Sequence, residues 1–138
     1  MPAIAMVIPV SAGLTTGLKQ FPQQRGLPVQ TYAVAHMYKV RMGADIVEYL
    51  ERIDATLAPY GGRFLVHGDP VEVIEGEWPG HLIVIEFPDR TNAHAWYRSP
   101  DYQEIVRLRT GNSDSDVVFV DGVPANHRAT DVLSAGAG

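Results

Sequence analysis

The sequence predicts an α+β domain in which an antiparallel sheet carries helices on one face. Residues 42–62 and 90–111 have apolar side chains at helical spacing. Short segments rich in β-branched and aromatic residues stand before, between and after them. The resulting order is strand, helix, strand, strand, helix, strand. The most compact arrangement of elements in this order is one sheet with both helices on the same side.

The first strand and helix are predicted in residues 31–62. The segment TYAVAHMYKV, residues 31–40, is rich in strand-forming residues. After it, Ile46, Leu50 and Ile53 recur at helical spacing. Pro59 and the glycines that follow are expected to end this helix.

Strand segments follow the first helix. The second strand is predicted in RFLVHG, residues 63–68, and Asp69-Pro70 turns the chain. Alternating Val and Glu in VEVIEGE, residues 71–77, predict further strand, with residues 75–80 as a hairpin connection. The most apolar segment, HLIVIEF at residues 81–87, is expected to lie centrally in the sheet.

The second helix is expected to break at Ser99-Pro100, because proline disfavours helical backbone in the residue before it. Ser99 should cap a second piece that begins at Pro100. A last strand is predicted within residues 115–123. The order is that of a ferredoxin-like βαββαβ fold. The sheet face without helices must be solvated or covered by a second subunit, and its apolar character favours a homodimer.

Composition indicates one domain of 138 residues with an ordinary 46% of hydrophobic residues. The net charge of −5 argues against a nucleic-acid partner. The absence of cysteine excludes disulfides and fits a cytoplasmic protein. The N-terminal apolar run is too short to cross a membrane, so no membrane association is expected.

Composition also divides the chain into three parts. Residues 1–30 lack Asp and Glu, contain several prolines and glycines, and are expected to form an extension with a short strand at 3–10. Residues 31–123 carry the regular pattern of the domain. Residues 124–138 are small and polar and are expected to be a flexible tail.

Strand alternation assigns the candidate functional side chains to faces. With Phe64 and Phe87 beneath the helices, the open face receives His36, Tyr38, Arg63, His67, Val84 and Glu86. Apolar surroundings with a few convergent polar groups are typical of a small-molecule site. Alternatively, Arg63 and Glu86 form only an ion pair or seal a dimer interface.

These residues suggest acid–base chemistry. His36 or His67 would act as the general base, because the pKa of histidine lies near neutral pH, and Glu86 would orient it. Arg63 would stabilise a developing enolate or carboxylate. The spacing of these residues does not indicate a metal, and no cofactor is predicted. Further substrate-binding candidates are Tyr38, Val84, Trp96, Tyr102 and Arg109.

Four segments together resemble a known family: YGGRFLVHG, VEVIEGEWPGHLIVIEFPD, AWYRSPDYQEIVRLR and DVVFVDGV. Their combination is similar to domain-of-unknown-function family 1330, in the dimeric α/β-barrel superfamily, over about residues 31–123. The resemblance implies two ferredoxin-like subunits paired through their open faces into a dimeric α/β barrel. The superfamily includes cofactor-free monooxygenases, haem-using enzymes, muconolactone isomerase-like proteins and polyketide cyclases.

Three hypotheses for function remain open at this point. The first is a cofactor-free isomerase, cyclase or monooxygenase that acts on a small, partly apolar substrate. The second is a non-catalytic ligand-binding or structural dimer. The third is a haem-binding relative, which requires an axial histidine.

Overall fold

A computed structural model describes residues 29–134 of the chain. Residues 29–123 form one compact unit, and the residues after them belong to a second. The strand expected at residues 3–10 lies outside the described residues, as does most of the expected extension. In chain order, the elements are β1 (Thr31–Val40), α1 (Ala44–Leu57), a 3₁₀ turn (Ala58–Tyr60), β2 (Arg63–His67), β3 (His81–Phe87), α2 (Arg90–Arg98), α3 (Pro100–Thr110), β4 (Ser113–Asp121) and the short helix α4 (Asp131–Ser134).

The four strands form one sheet in the order β2-β3-β1-β4, and every neighbouring pair is antiparallel. This arrangement confirms the predicted ferredoxin-like fold. The predicted central position of the HLIVIEF strand is also confirmed, because β3 lies between β2 and β1. Among the described helices, none has the length and apolar character needed to span a bilayer.

The core lies between the sheet and helices α1, α2 and α3. On the sheet side, Ala33, Ile85 and Phe87 point into it. The helices contribute buried side chains that include Ile53, Leu57, Trp96, Tyr102 and Ile105. Burial of this apolar surface is the main source of stability for such a layer.

The break between α2 and α3 has the predicted geometry. Ser99 is extended, and its hydroxyl accepts a hydrogen bond from the backbone N–H of Tyr102 at 3.2 Å. The same hydroxyl donates to the carbonyl of Trp96 at 2.7 Å. Pro100 occupies the first helical position, where its missing N–H needs no partner. Ser99 thereby fixes the backbone of Trp96 relative to that of Tyr102.

The strand predicted for residues 71–77 is wrong. Residues 68–80 form an exposed loop, and β2 pairs directly with β3. The alternating residues of this loop have no neighbouring strand to complete a ladder, and Ile74 is 81% exposed. Gly80 ends the loop with a φ of 85° and lies against β1, where an added Cβ would be 2.0 Å from the carbonyl oxygen of Met37. Only glycine fits there without a shift of backbone.

The helix-free side of the sheet is called the open face below. Four valines cross it in register, one from each strand. In the order of the sheet they are Val66, Val84, Val34 and Val118, and they are called the valine row. Val118 is 55% exposed. The domain therefore presents a continuous line of apolar side chains on its open face.

Candidate functional site

A β-bulge in β2 decides which residues share a site. Phe64 pairs with Ile85, but Val66 pairs with Val84, so Leu65 is an extra residue in the strand. The bulge reverses the alternation of side chains after Leu65. His67 consequently pairs with Ile83 and points towards the helices, where its ring stacks on Phe64 at 4.1 Å. The predicted placement of His67 on the open face is wrong for this reason.

A cavity of about 410 Å³ lies between the sheet and the helices, and is called the helix-side cavity below. Its floor is formed by small and apolar side chains of the sheet, such as Ala33, Ala35 and Ile83. Helices α1, α2 and α3 supply Ile46, Tyr49, Ile53, Trp96, Tyr97, Tyr102 and Arg109. Size and lining are those of small-molecule sites, which are mostly apolar with a few polar groups.

Three polar side chains of this cavity form an arginine–tyrosine cluster: Arg109, Tyr49 and Tyr102. The phenol oxygens of Tyr49 and Tyr102 are joined by a buried hydrogen bond of 2.6 Å. The guanidinium of Arg109 interacts with both phenols and donates to the hydroxyl of Ser115 at 3.2 Å. Because α1, α3 and β4 each contribute, the cluster exists only in the folded domain.

Arg109 is a buried cation, only 8% exposed. No carboxylate lies within ion-pair distance of it among residues 29–134. Burial acts to lower the pKa of Arg109, the neighbouring Tyr102 and Tyr49 act to raise it, and the net shift is upward. An arginine keeps its charge at neutral pH even when it is buried. A buried charge without a counter-charge is unfavourable. The lining of the helix-side cavity contains Arg109 and Lys39 but no Asp or Glu, so its fixed charge is positive.

Tyr49 is held in its neutral form. Burial, followed by the neighbouring Tyr102, raises the pKa of Tyr49 well above its ordinary value, although Arg109 opposes the shift. At neutral pH, Tyr49 is therefore a hydrogen-bond donor and acceptor rather than a base. Sequence reasoning missed this residue. The available signal was its position between Ile46 and Ile53 on the inward stripe of α1, where a buried phenol needs a polar partner.

Trp96 is fixed in the wall of the cavity. Its indole N–H donates to the hydroxyl of Thr56 at 3.0 Å, and Thr56 donates in turn to the carbonyl of Ile53 at 2.7 Å. The ring centroid of Trp96 lies 4.1 Å from that of Tyr102. Both aromatic residues were predicted to bind substrate, and they do line one cavity together with Arg109.

The remaining candidates lie on the open face. Arg63 donates to Glu86 at 2.9 Å. These two residues therefore form an ion pair with each other, which was the alternative to a role in a binding site. His36 donates through Nε2 to the carbonyl of Pro79 at 2.7 Å and stacks on Trp78 at 4.2 Å. Val84 belongs to the valine row.

Tyr38 also has its phenol on the open face. It donates to Asp116 at 2.9 Å, and this hydrogen bond is the main cause of its raised pKa. The same residue stands at an irregularity of β1 and borders the rim of the helix-side cavity.

The acid–base scheme predicted from the sequence does not fit this geometry. Glu86 and His67 lie on opposite faces of the sheet, so Glu86 cannot orient His67. His36 shares the open face with Glu86, but its Nε2 donates to the carbonyl of Pro79 instead. The sheet thus separates His67, Trp96, Tyr102 and Arg109 from His36, Arg63, Val84 and Glu86. Tyr38 stands between the two sets, with its phenol on the open face and its position at the rim of the cavity.

Metal or haem binding would require suitably placed histidines or carboxylates. In the described part of the chain, no group of three His, Asp or Glu side chains could hold a metal ion. The histidines at the helix-side cavity are His67 and His81, and both are exposed at its edge. Neither provides an axial ligand inside the apolar interior, so the described residues do not fit haem.

Solved structures share the fold at low sequence identity. The RPA0582 protein of unknown function from Rhodopseudomonas palustris has a TM-score of 0.56 at 15% identity, over 80% of this chain and 96% of that one. A dimeric ferredoxin-like protein of unknown function from Jannaschia sp. CCS1 has a TM-score of 0.56 at 16% identity, over 67% and 99% of the two chains. A dimeric ferredoxin-like protein of unknown function from Thermobifida fusca YX has a TM-score of 0.50 at 11% identity, over 69% and 92%.

Sequence comparison identifies the family. No curated protein matches the chain. The domain of unknown function DUF1330 matches residues 30–123, which include all four strands and helices α1, α2 and α3. The chain therefore belongs to the DUF1330 family.

Proposed function

We propose that the protein is a homodimer in which each subunit binds a small, partly apolar molecule in its helix-side cavity. The observation that carries the proposal is the cavity itself, which combines apolar walls with one buried polar cluster. A protein that needed only a stable core would fill this volume with side chains, since interiors are close-packed.

The dimeric state is supported by the open face. Tyr32 and Val120 flank the valine row, so the apolar side chains of the open face form one contiguous patch. Contiguous exposed apolar patches of this kind mark interaction sites. A two-fold axis would bury this apolar surface against the same surface of a second copy. The proteins from Jannaschia sp. CCS1 and Thermobifida fusca are described as dimeric, and they share the fold. Cytoplasmic localisation, expected from the lack of cysteine, stays a prediction.

Filling the cavity tests ligand binding. We would compare phenylacetate, phenylacetamide and 2-phenylethanol by ligand-observed NMR on the wild type and on Ala35→Phe, which places a ring on the cavity floor. Ala55→Phe, an exposed position of α1, is the control. The proposal expects binding to the wild type and the control and loss in Ala35→Phe. Equal binding to both variants, or no binding to the wild type, would overturn it.

A second candidate is a cofactor-free enzyme that isomerises, cyclises or oxygenates a small substrate. The arginine–tyrosine cluster favours it, because a neutral phenol and a guanidinium together stabilise a developing oxyanion. His67, on the same side of the sheet, would replace the predicted His–Glu pair as the base.

Proton exchange tests the enzymatic candidate. Phenylpyruvate carries an enolisable CH₂ group, and its exchange with deuterium is followed by ¹H NMR. The enzymatic candidate expects exchange faster than in buffer, with the increment lost in His67→Gln. Exchange at the buffer rate would leave only the binding role for this class of substrate.

A further inference from the structure

We propose that the ligand of the helix-side cavity is a monocarboxylic acid with an aromatic or branched apolar body, and that Arg109 binds its carboxylate. The inference rests on the proposed function and narrows it to one class of molecule. Three features support it: the charge of the arginine–tyrosine cluster, its hydrogen-bonding capacity and the apolar lining of the cavity.

The charge of the cluster calls for an anion. Arg109 is 8% exposed, and its partners in the described residues are neutral: the Ser115 hydroxyl and two phenols. Other arginines of the domain have acidic partners although they are at the surface, where pairing contributes little. These are Arg41, Arg52, Arg63 and Arg90. Arg98, Arg107 and Lys39 have no ion pair among the described residues either, but all three are exposed to solvent. Arg109 is buried, has no acidic partner there and faces a cavity, so it is the cation that most needs a counter-charge.

Hydrogen-bonding capacity favours a carboxylate over other anions. The planar guanidinium matches the two oxygens of a carboxylate and binds them side by side. The two phenols have two protons, and one of them joins the phenol oxygens. The other proton is available to a ligand oxygen. The positive charge of Arg109 balances the single negative charge of a carboxylate, and one phenol donates a hydrogen bond to it. A phosphate dianion would require a second positive charge and further donors.

The remaining lining defines the body of the ligand. Around the cluster, the cavity wall consists of aromatic and aliphatic side chains, including Trp96, Tyr97, Ile53 and Ile85. A hydroxylated or multiply charged molecule would leave its polar groups unpaired against these walls. A flat aromatic ring or a branched alkyl group would instead bury apolar surface.

Matched acid and amide pairs test the carboxylate directly. Isothermal titration calorimetry would compare benzoate, phenylacetate and 4-phenylbutyrate with their primary amides, which have nearly the same shape but no charge. We expect the best acid to bind about tenfold more tightly than its amide, because hydrogen bonds to charged groups are the stronger ones. Arg109→Gln should remove this preference. Arg107→Gln, the same change at an exposed position of α3, should keep it.

A second substitution guards against misfolding. If near-ultraviolet circular dichroism shows that Arg109→Gln has lost its tertiary structure, Arg109→Lys takes its place. Lysine keeps the charge without the planar fork, so the acid preference should shrink without vanishing.

Two failures are distinguishable. Amides that bind as tightly as their acids, or a preference that persists in the Arg109 variant, would overturn the carboxylate and leave the ligand-binding cavity intact. If the alcohols or amides bind and the acids do not, the carboxylate is likewise overturned and the ligand-binding cavity is kept. The absence of binding by every compound would overturn the proposed function as well.

Discussion

The phenol oxygens of Tyr49 and Tyr102 lie 2.6 Å apart although 53 residues separate them in the chain. The hydrogen bond joins α1 to α3 at the buried end of the helix-side cavity, beside Arg109. It places two phenols and one cation beside the apolar wall of the cavity. The predictions below test this corner, its scaffold and the opposite face of the sheet.

The first prediction concerns alkaline pH. The raised pKa of Tyr49 means that deprotonation is favoured in the unfolded chain, where the pKa is about 10. Stability from this group is fully present below pH 10 and is lost as pH rises above it. We expect the free energy of unfolding of the wild type to fall between pH 9 and pH 11 by about 1.4 kcal/mol more than that of Tyr49→Phe, with most of the fall above pH 10. Urea unfolding monitored by circular dichroism at pH 9, 10 and 11 measures this. If the free energy of unfolding fell equally with pH in the wild type and in Tyr49→Phe, the raised pKa of Tyr49 would be contradicted.

The second prediction concerns the stability of the ligand-free protein. Arg109→Met removes a buried charge and retains apolar volume, so the free energy of unfolding should stay within about 1 kcal/mol of the wild type or rise. Urea unfolding measures it. A loss of more than about 3 kcal/mol would instead give Arg109 a structural role.

The third prediction concerns the dimer. Val118→Glu places a charge in the valine row, where a second subunit would bury it without a partner. Val47→Glu makes the same change on the exposed side of α1, where Val47 is 45% exposed. Sedimentation at micromolar concentration should show a dimer for the wild type and Val47→Glu, and a monomer for Val118→Glu. A monomeric wild type, or a dimeric Val118→Glu, would refute pairing through the open face.

The fourth prediction concerns the end of the loop at residues 68–80. Gly80 and Gly76 both have positive φ, at 85° and 78°, but only at Gly80 does an added Cβ meet backbone, at Met37. Both alanine substitutions therefore strain the backbone by about 1–2 kcal/mol, and Gly80→Ala adds the displacement of β1. Thermal unfolding should show a clearly larger loss for Gly80→Ala. Equal losses would mean that the close approach is unimportant.

The fold was predictable from local patterns that agree with one another. Helical periodicity, the Ser99-Pro100 break and the β-branched segments each indicated an element that the structure contains. The segment 71–77 failed because alternation is only a preference for strand, and no neighbouring strand is available to it. Pairing partners are a property of the whole sheet and are not visible within seven residues.

The site was less predictable, because one inserted residue changes which face a side chain occupies. Simple alternation placed His67 beside Arg63 and Glu86, but the bulge at Leu65 moves it to the opposite side. Nothing in RFLVHG marks that bulge. Trp96, Tyr102 and Arg109 were identified individually, whereas their convergence with Tyr49 depends on the packing of α1 against α3. The cavity was consequently expected on the open face and is found under the helices.

The most direct test of the account uses the two tryptophans of the chain, one on each side of the sheet. Trp96 lines the helix-side cavity, and Trp78 stacks on His36 at the open face. In a ¹H–¹⁵N NMR titration with phenylacetate, assigned with Trp78→Phe, the account predicts that the indole signal of Trp96 shifts in a saturable manner while that of Trp78 stays in place. A shift of Trp78 alone, or of neither indole, would contradict a ligand site beneath the helices.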